Sequence, residues 1–329
     1  MRAAIIRRFG DPDVLEVNEV PVPEPGPREI QVRVHTSALN RADILQRMGR
    51  YPPPGDAPRD IPGMEFAGEV SAVGPGQSLW SIGDRVFGLV AGGAHAEYLV
   101  THEEAAVAIP DGLSWEAAGA VPEVFITAHD ALVMQAGLRP GHTVLIHAVG
   151  SGVGLAATQI ARAWGAIPYG TSRTPDKLEA AKRVGLEDGV VVEAEPDAFV
   201  AAARRWTGGR GVDVVCDLVG GPYVPASIDA LALKGQLMLI GTIAGPRATL
   251  ELGRVLGKRL TIRGTVLRAR PLDEKIAVAQ AFARDVVPRL ARGELVPSID
   301  SVYSLEHIAD AHRRMESNLT TGKVMLALA

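Results

Sequence analysis

The chain has a single cysteine, Cys216, in 329 residues. One thiol cannot close a disulfide within the chain, nor build a zinc site from several thiolates. Aromatic residues amount to only 5%. No uninterrupted apolar run reaches the roughly 18 residues of a membrane span. The amino-terminal stretch MRAAIIRRFGDPDVLEV carries charges inside its only apolar patch, so a secretory leader is not expected either. Basic residues never run beyond pairs and the formal net charge is -4, which leaves no positive footprint for nucleic acid or an anionic membrane surface. These absences predict a soluble, cytoplasmic protein that binds neither nucleic acid nor a membrane surface.

The composition that remains, 47% hydrophobic and 22% charged, suits a globular chain, and the length suits two cores rather than one. Residues 1 to about 122 read as short alternating segments, among them Glu29–Val34, Glu65–Val73 and Arg85–Val90, the pattern of an antiparallel β domain. The proline runs at 21 to 27 and 51 to 58 lack the amide donors of a central strand and read as surface connections. From about residue 140 buried apolar runs alternate with helical stretches. Strands are predicted at Thr143–His147, Ile167–Thr171, Gly189–Val192, Val212–Asp217, Gln236–Ile240 and Leu260–Gly264, and helices at 153–164, 175–184, 196–206 and 222–233. Six such strands make a doubly wound α/β sheet. A helix at 272–292, a strand at 295–303, a helix at 305–316 and a last strand at 322–328 complete the reading. Domains are expected at 1–122 with 294–329, and at 123–293.

The strand Thr143–His147 runs into Ala148-Val149-Gly150-Ser151-Gly152-Val153-Gly154 and then a helix. The first amides of a helix lack internal partners and carry the positive end of its dipole, so a pyrophosphate placed there accepts several hydrogen bonds. The fingerprint G-x-G-x-x-A falls on Gly152, Gly154 and Ala157. Such glycines also occur in turns that only pack a helix on a strand; the flanking βαβ context favours a dinucleotide. The second strand ends Gly170-Thr171-Ser172-Arg173, without the acid that usually binds a ribose 2′-hydroxyl. Ser172, Arg173 and Lys177 together suit a 2′-phosphate, which predicts NADPH, unless the two cations are simply solvated. Asp176 sits in a first helical turn, where the dipole explains it. Ser151 suits the N-cap of the helix or a phosphate contact, with a substrate-side role as an alternative. Cys216 reads as a small core residue.

Four stretches, Ser37–Asp43 (SALNRAD), Ile61–Glu65 (IPGME), His147–Gly154 and Gly322-Lys323-Val324, resemble the zinc-free quinone oxidoreductases of the medium-chain dehydrogenase/reductase superfamily, over nearly the whole chain. SALNRADILQRMGRYPPPG is most similar to the subgroup typified by the tumour-suppressor-inducible quinone oxidoreductase. The resemblance implies a GroES-like β-rich catalytic domain beside a Rossmann domain, and hydride transfer from NADPH to a quinone or another conjugated carbonyl. Asn40 and Met64 stand where similar zinc-dependent enzymes carry cysteine and histidine, so no metal ligands are expected. It further implies Asn40 at the nicotinamide ribose, and Thr127, Val219, Gly241 and Thr242 around the nicotinamide. Thr265, Val266 and Leu267 would reach its carboxamide, Ser151, Gly152 and Val153 the pyrophosphate, and Lys323 a cofactor phosphate. Tyr51 would orient or protonate the substrate, or else pack under its proline loop. Asn40, Tyr51 and Ser151 are the candidate catalytic residues. Many NADPH-using relatives have a tyrosine near the third strand's end, where this chain has Val192. A homodimer is expected through the alternating open edge of Leu260–Gly264. The alternatives are an enoyl-thioester or 2-alkenal reductase and a non-catalytic NADPH-binding protein.

Overall fold

A computed structural model describes residues 1–55, 57–192 and 197–328. The chain divides into two units, Met1–Ile126 with Leu267–Ala329, and Thr127–Val266.

In the first unit the period-two pattern sets the faces of the strands. Glu29–Ala38 buries Ile30, Val32 and Val34 and turns Gln31 and Arg33 outward. One edge of this strand pairs antiparallel with Glu65–Val73, and the other is shared by Tyr98–His102 and Lys323–Ala327. Arg85–Leu89 and Ala106–Ala108 extend the sheet on one side, and Ile299–Ser304, parallel to Lys323–Ala327, on the other. Ile30, Val32, Phe66, Val86 and Leu326 meet in its core, each burial stabilising by about 1.5–3 kcal/mol. Both proline runs lie outside strands, although Asp56 of the second is outside the described residues.

The helix expected at 272–292 is two helices, Leu272–Asp285 and Val287–Ala291. Pro288 lacks the amide that would continue the first ladder and restricts the residue before it. These helices fall in the β-rich unit: Phe282 meets Phe87 edge-on at 5.7 Å, and Gln280 Nε2 donates to Glu104 O at 2.8 Å. The strand expected at 295–303 is Ile299–Ser304, past Pro297, which cannot donate to a ladder.

The second unit carries six parallel strands in the order Asp188–Val191, Ile167–Ser172, Thr143–Ile146, Val212–Asp217, Leu231–Leu239, Thr261–Gly264. The order reverses between Thr143–Ile146 and Val212–Asp217, which makes that junction the switch point of a doubly wound sheet. Helices Gly152–Ala163, Pro175–Arg183, Asp197–Trp206 and Tyr223–Ala230 follow their strands. Pro196, where the third was predicted to begin, is outside the described residues. The helix predicted to 233 stops at Ala230, because Leu231 pairs with Val212 and Lys234 takes φ 62°, which no α-helix tolerates. Pro175–Arg183 begins after Thr174 and ends with Gly185 at φ 103°, as its caps predict, though the Thr174 side chain makes no capping bond.

Candidate functional site

In the second unit the predicted residues gather at the carboxyl ends of the parallel strands. Thr143–Ile146 leads to Ser151, Ile167–Ser172 to Arg173, Val212–Asp217 to Val219, Leu231–Leu239 to Gly241 and Thr242, and Thr261–Gly264 to Thr265. Ser151 is the N-cap: its Oγ accepts from Gly154 N at 3.1 Å and keeps its own proton for a ligand. The amides of Gly152 and Val153 have no partner among the described residues. A Cβ on Gly154 would lie 2.6 Å from Ala148 O and from Val149 O, so the turn closes only around glycine. Ala148 itself is held at φ 49°, a left-handed conformation that costs a residue with a Cβ. A Cβ on Gly150 would lie 2.6 Å from Lys177 Cβ, so the stem of Lys177 packs on the turn.

Ser172 is buried and its Oγ accepts from Thr174 N at 3.3 Å, while Arg173 and Asp176 are exposed. No carboxylate ends this strand. Arg173 lies close enough to Tyr223 to oppose the rise that burial imposes on that phenol. Val192, where the resemblance leads one to look for tyrosine, is buried in the core against Phe199. Cys216 is buried likewise, and burial pushes its thiol up to about 12.

Two buried groups that the motifs did not single out shape this edge. Asp217 Oδ1 accepts from Val219 N at 2.8 Å and Gly220 N at 2.9 Å, and its main-chain oxygen accepts from Ile240 N and Gly241 N. One residue therefore sets both the Val219 and Gly241 turns. Burial raises its carboxyl above the ordinary value against the pull of those amides. His147 is fully buried between Thr171 Oγ1 at 3.0 Å and Ser227 Oγ at 2.9 Å, and burial lowers it to about 3. Their sequence signal was a polar residue ending each apolar strand. Thr265 donates to Asp130 Oδ2 and accepts from Gln135 Nε2 at 2.8 Å, which ties it to the π-helical turn Asp130–Gln135. Thr127 is buried, Thr242 exposed, and Val266 mostly exposed.

The first unit holds the other predicted residues. Asn40 is the N-cap of helix Arg41–Arg47, where Asp43 Oδ2 accepts from Asn40 N at 2.7 Å. Its Nδ2 donates to Glu65 Oε1 at 2.9 Å and its Oδ1 accepts from Lys323 Nζ at 2.7 Å. Lys323 also donates to Leu39 O and lies 2.6 Å from Glu65 Oε1. The other Glu65 oxygen accepts from Glu123 N at 2.8 Å, at the start of helix Pro122–His129. Lys323, expected at a cofactor phosphate, is instead buried and held within the unit by two hydrogen bonds and its ion pair with Glu65. Leu267 likewise does not continue the Thr265–Val266 edge but belongs to the β-rich unit.

Leu267 lines a cavity, open to solvent, whose walls are chiefly Met64, Leu89, Val90, Ile126 and Val278. Its polar lining is Glu123, Arg268, Arg270 and Lys275. Tyr51 is half-buried, with the Arg268 guanidinium carbon 5.3 Å from its ring centre. Burial raises the Tyr51 phenol, and Arg268 opposes that rise.

Residues 26–111 match the family model "Alcohol dehydrogenase GroES-like domain", and residues 152–283 match "Zinc-binding dehydrogenase". The quinone oxidoreductase of Pseudomonas aeruginosa is 34% identical over 97% of this chain and 97% of its own. The crystal structure of Escherichia coli quinone oxidoreductase complexed with NADPH superposes with a TM-score of 0.88 at 29% identity, covering 100% of both chains. That of an NAD-dependent alcohol dehydrogenase does so with a TM-score of 0.88 at 33% identity, also over 100% of both chains. The chain belongs to the quinone oxidoreductase family of the medium-chain dehydrogenases/reductases. It is thus an oxidoreductase with a GroES-like and a Rossmann-type part.

Proposed function

We propose that this oxidoreductase uses NADPH to reduce a quinone or another conjugated carbonyl compound without zinc. The observation that carries the reading is the convergence of Ser151, Arg173, Val219, Gly241 and Thr265 on the carboxyl ends of adjacent parallel strands, around a switch point. Open α/β sheets bind their ligands there. The residues fit a dinucleotide. Gly154 permits a turn that any Cβ would open, and the Gly152 and Val153 amides await an anion. The reading of NADPH is supported by Ser172, Arg173 and Lys177, which would offer donors to a ribose 2′-phosphate, and by the absence of a carboxylate at the end of strand Ile167–Ser172.

When bound, the reduced nicotinamide supplies the hydride. The chain's own work is to hold that ring and a flat acceptor in register and to receive the developing charge. Zinc independence is supported by the donors: the amide of Asn40 is engaged by Lys323 and Glu65, and Met64 offers only a thioether in an apolar wall. The β-rich unit would hold the acceptor. A homodimer is supported by Thr261–Gly264, whose four residues are all exposed rather than alternating, beside the outward Leu252 and Leu256.

Fluorescence titration tests the nucleotide. NADPH should bind at least about tenfold tighter than NADH, since a lost charge-assisted contact costs about 1.5–3 kcal/mol. Arg173→Ala with Lys177→Ala should erase the difference; equal affinities in the natural protein would overturn NADPH. Oxidation of NADPH by 9,10-phenanthrenequinone, undiminished by a chelator, tests the reaction. Faster turnover of a crotonyl thioester would transfer the reading to an enoyl reductase, and no turnover with any electrophile would leave a binding protein.

A further inference from the structure

Among the described residues, the cavity of the β-rich unit is lined by a buried cation with a donor that no acceptor meets. Arg268 is only 6% exposed and lines the cavity beside Met64 and Ile126. Its Nε donates to Ala91 O at 2.6 Å and its Nη2 to Gln46 Oε1, which fastens two loops. Its Nη1 is buried with no hydrogen-bond partner. A buried guanidinium N–H without an acceptor is rare, because charged donors are the costliest to leave unpaired. Two bonds already account for the structural work, so the third donor is surplus to the fold.

The cavity that Arg268 lines carries an acid, Glu123, and two further cations. Lys275 and Arg270 share the cavity lining, and Arg270 lies 3.9 Å from the exposed Glu274. Burial lowers the Arg268 guanidinium, which Asp43, Tyr51 and Glu123 oppose. A guanidinium keeps its proton at any physiological pH. The Tyr51 ring under it holds its plane without consuming an N–H.

We propose that Arg268 is a catalytic residue: the acceptor lies in this cavity, and Arg268 Nη1 donates to the acceptor oxygen on which negative charge accumulates. The inference rests on the reductase reading above and deepens it. Hydride added to the electrophilic carbon of the acceptor drives the conjugated π pair onto oxygen. The acceptor gains two electrons, the reduced nicotinamide loses them, and water supplies the proton that completes the hydroquinone or saturated carbonyl. A fixed cationic donor at that oxygen does what a Lewis acid does in a metal enzyme.

The test compares two flat ligands of nearly one shape, 4-nitrophenolate and nitrobenzene, by equilibrium binding to the full chain. Arg268→Ala and Arg268→Lys should each weaken the phenolate at least about tenfold and leave nitrobenzene within about twofold. Parallel weakening of both ligands, or an unchanged phenolate in a folded variant, would overturn the proposal. Should Arg268→Ala not fold, Arg268→Lys decides alone, since its ammonium can still bond Gln46 or Ala91. In turnover, kcat should fall about 10²–10³-fold with the acceptor KM changed less. The fall should be steeper for a weakly electrophilic enone than for phenanthrenequinone, whereas a merely structural residue would slow both alike. A protein that prefers the phenolate through Arg268 but never oxidises NADPH would uphold the oxygen site and overturn the reductase reading instead.

Discussion

Acidification should expose the cost of burying His147. The imidazole is fully enclosed between Thr171 and Ser227 and has no charged partner, so burial lowers it to about 3 from 6.5. Between those values the unfolded chain takes up a proton that the folded chain refuses. Stability from this group is therefore complete above pH 6.5 and is lost as pH falls from 6.5 toward 3. Each pH unit within that window is worth about 1.4 kcal/mol, which gives about 2 kcal/mol between pH 8 and pH 5. His147→Gln keeps a donor and an acceptor for the two hydroxyls but cannot titrate. Urea unfolding of both proteins at pH 8 and pH 5 isolates the term, because His95 and His312, also lowered by burial, remain in both and cancel in the difference. The natural protein should lose about 2 kcal/mol more than the variant. Parallel losses, or an imidazole signal titrating near 6.5 in the folded protein, would refute the reasoning.

Two further outcomes follow from named contacts. Lys323→Met leaves the Glu65 carboxylate buried beside Asn40 without its cation, and should cost about 3–5 kcal/mol in urea unfolding; adding Glu65→Gln should recover most of that, and a cost below about 1 kcal/mol would show that water reaches the pair. Leu256→Asp combined with Ile262→Asp places charge on the face beside the exposed edge strand, where Leu256 is 75% exposed; light scattering should show a dimer become a monomer, and a natural protein that is already monomeric would remove the dimer.

The parallel sheet was the most legible part of the chain. The central strands, buried on both faces, read as continuous apolar runs, and all six strands were found in the sequence, although the fifth begins five residues before its predicted start. Thr174 and Gly185 located a helix because a cap is a local property. Residues 231–235 were less legible. Leu231-Ala232-Leu233 has helical propensity, and only pairing with Val212 across the sheet makes it extended. The unit to which 272–291 belongs was illegible for a related reason. An amphipathic helix shows which face is apolar but not whether Phe87 or some other partner will cover it.

Lys323 and Arg268 show why site residues are harder to read than folds. Both are basic residues near a stretch that a family resemblance places close to a cofactor or substrate; the resemblance implied a phosphate for Lys323 and no role for Arg268. What decides between structural and chemical service is a count of donors against acceptors, which exists only in three dimensions. Lys323 has three protons and meets Leu39 O, Asn40 Oδ1 and Glu65, so the fold consumes it. Arg268 has a rigid fork of donors and meets only Ala91 O and Gln46 among the described residues, with Nη1 buried and left without an acceptor. A buried cation whose donors balance its acceptors holds a protein together. One with a donor to spare is where an oxygen from outside the chain can be bound.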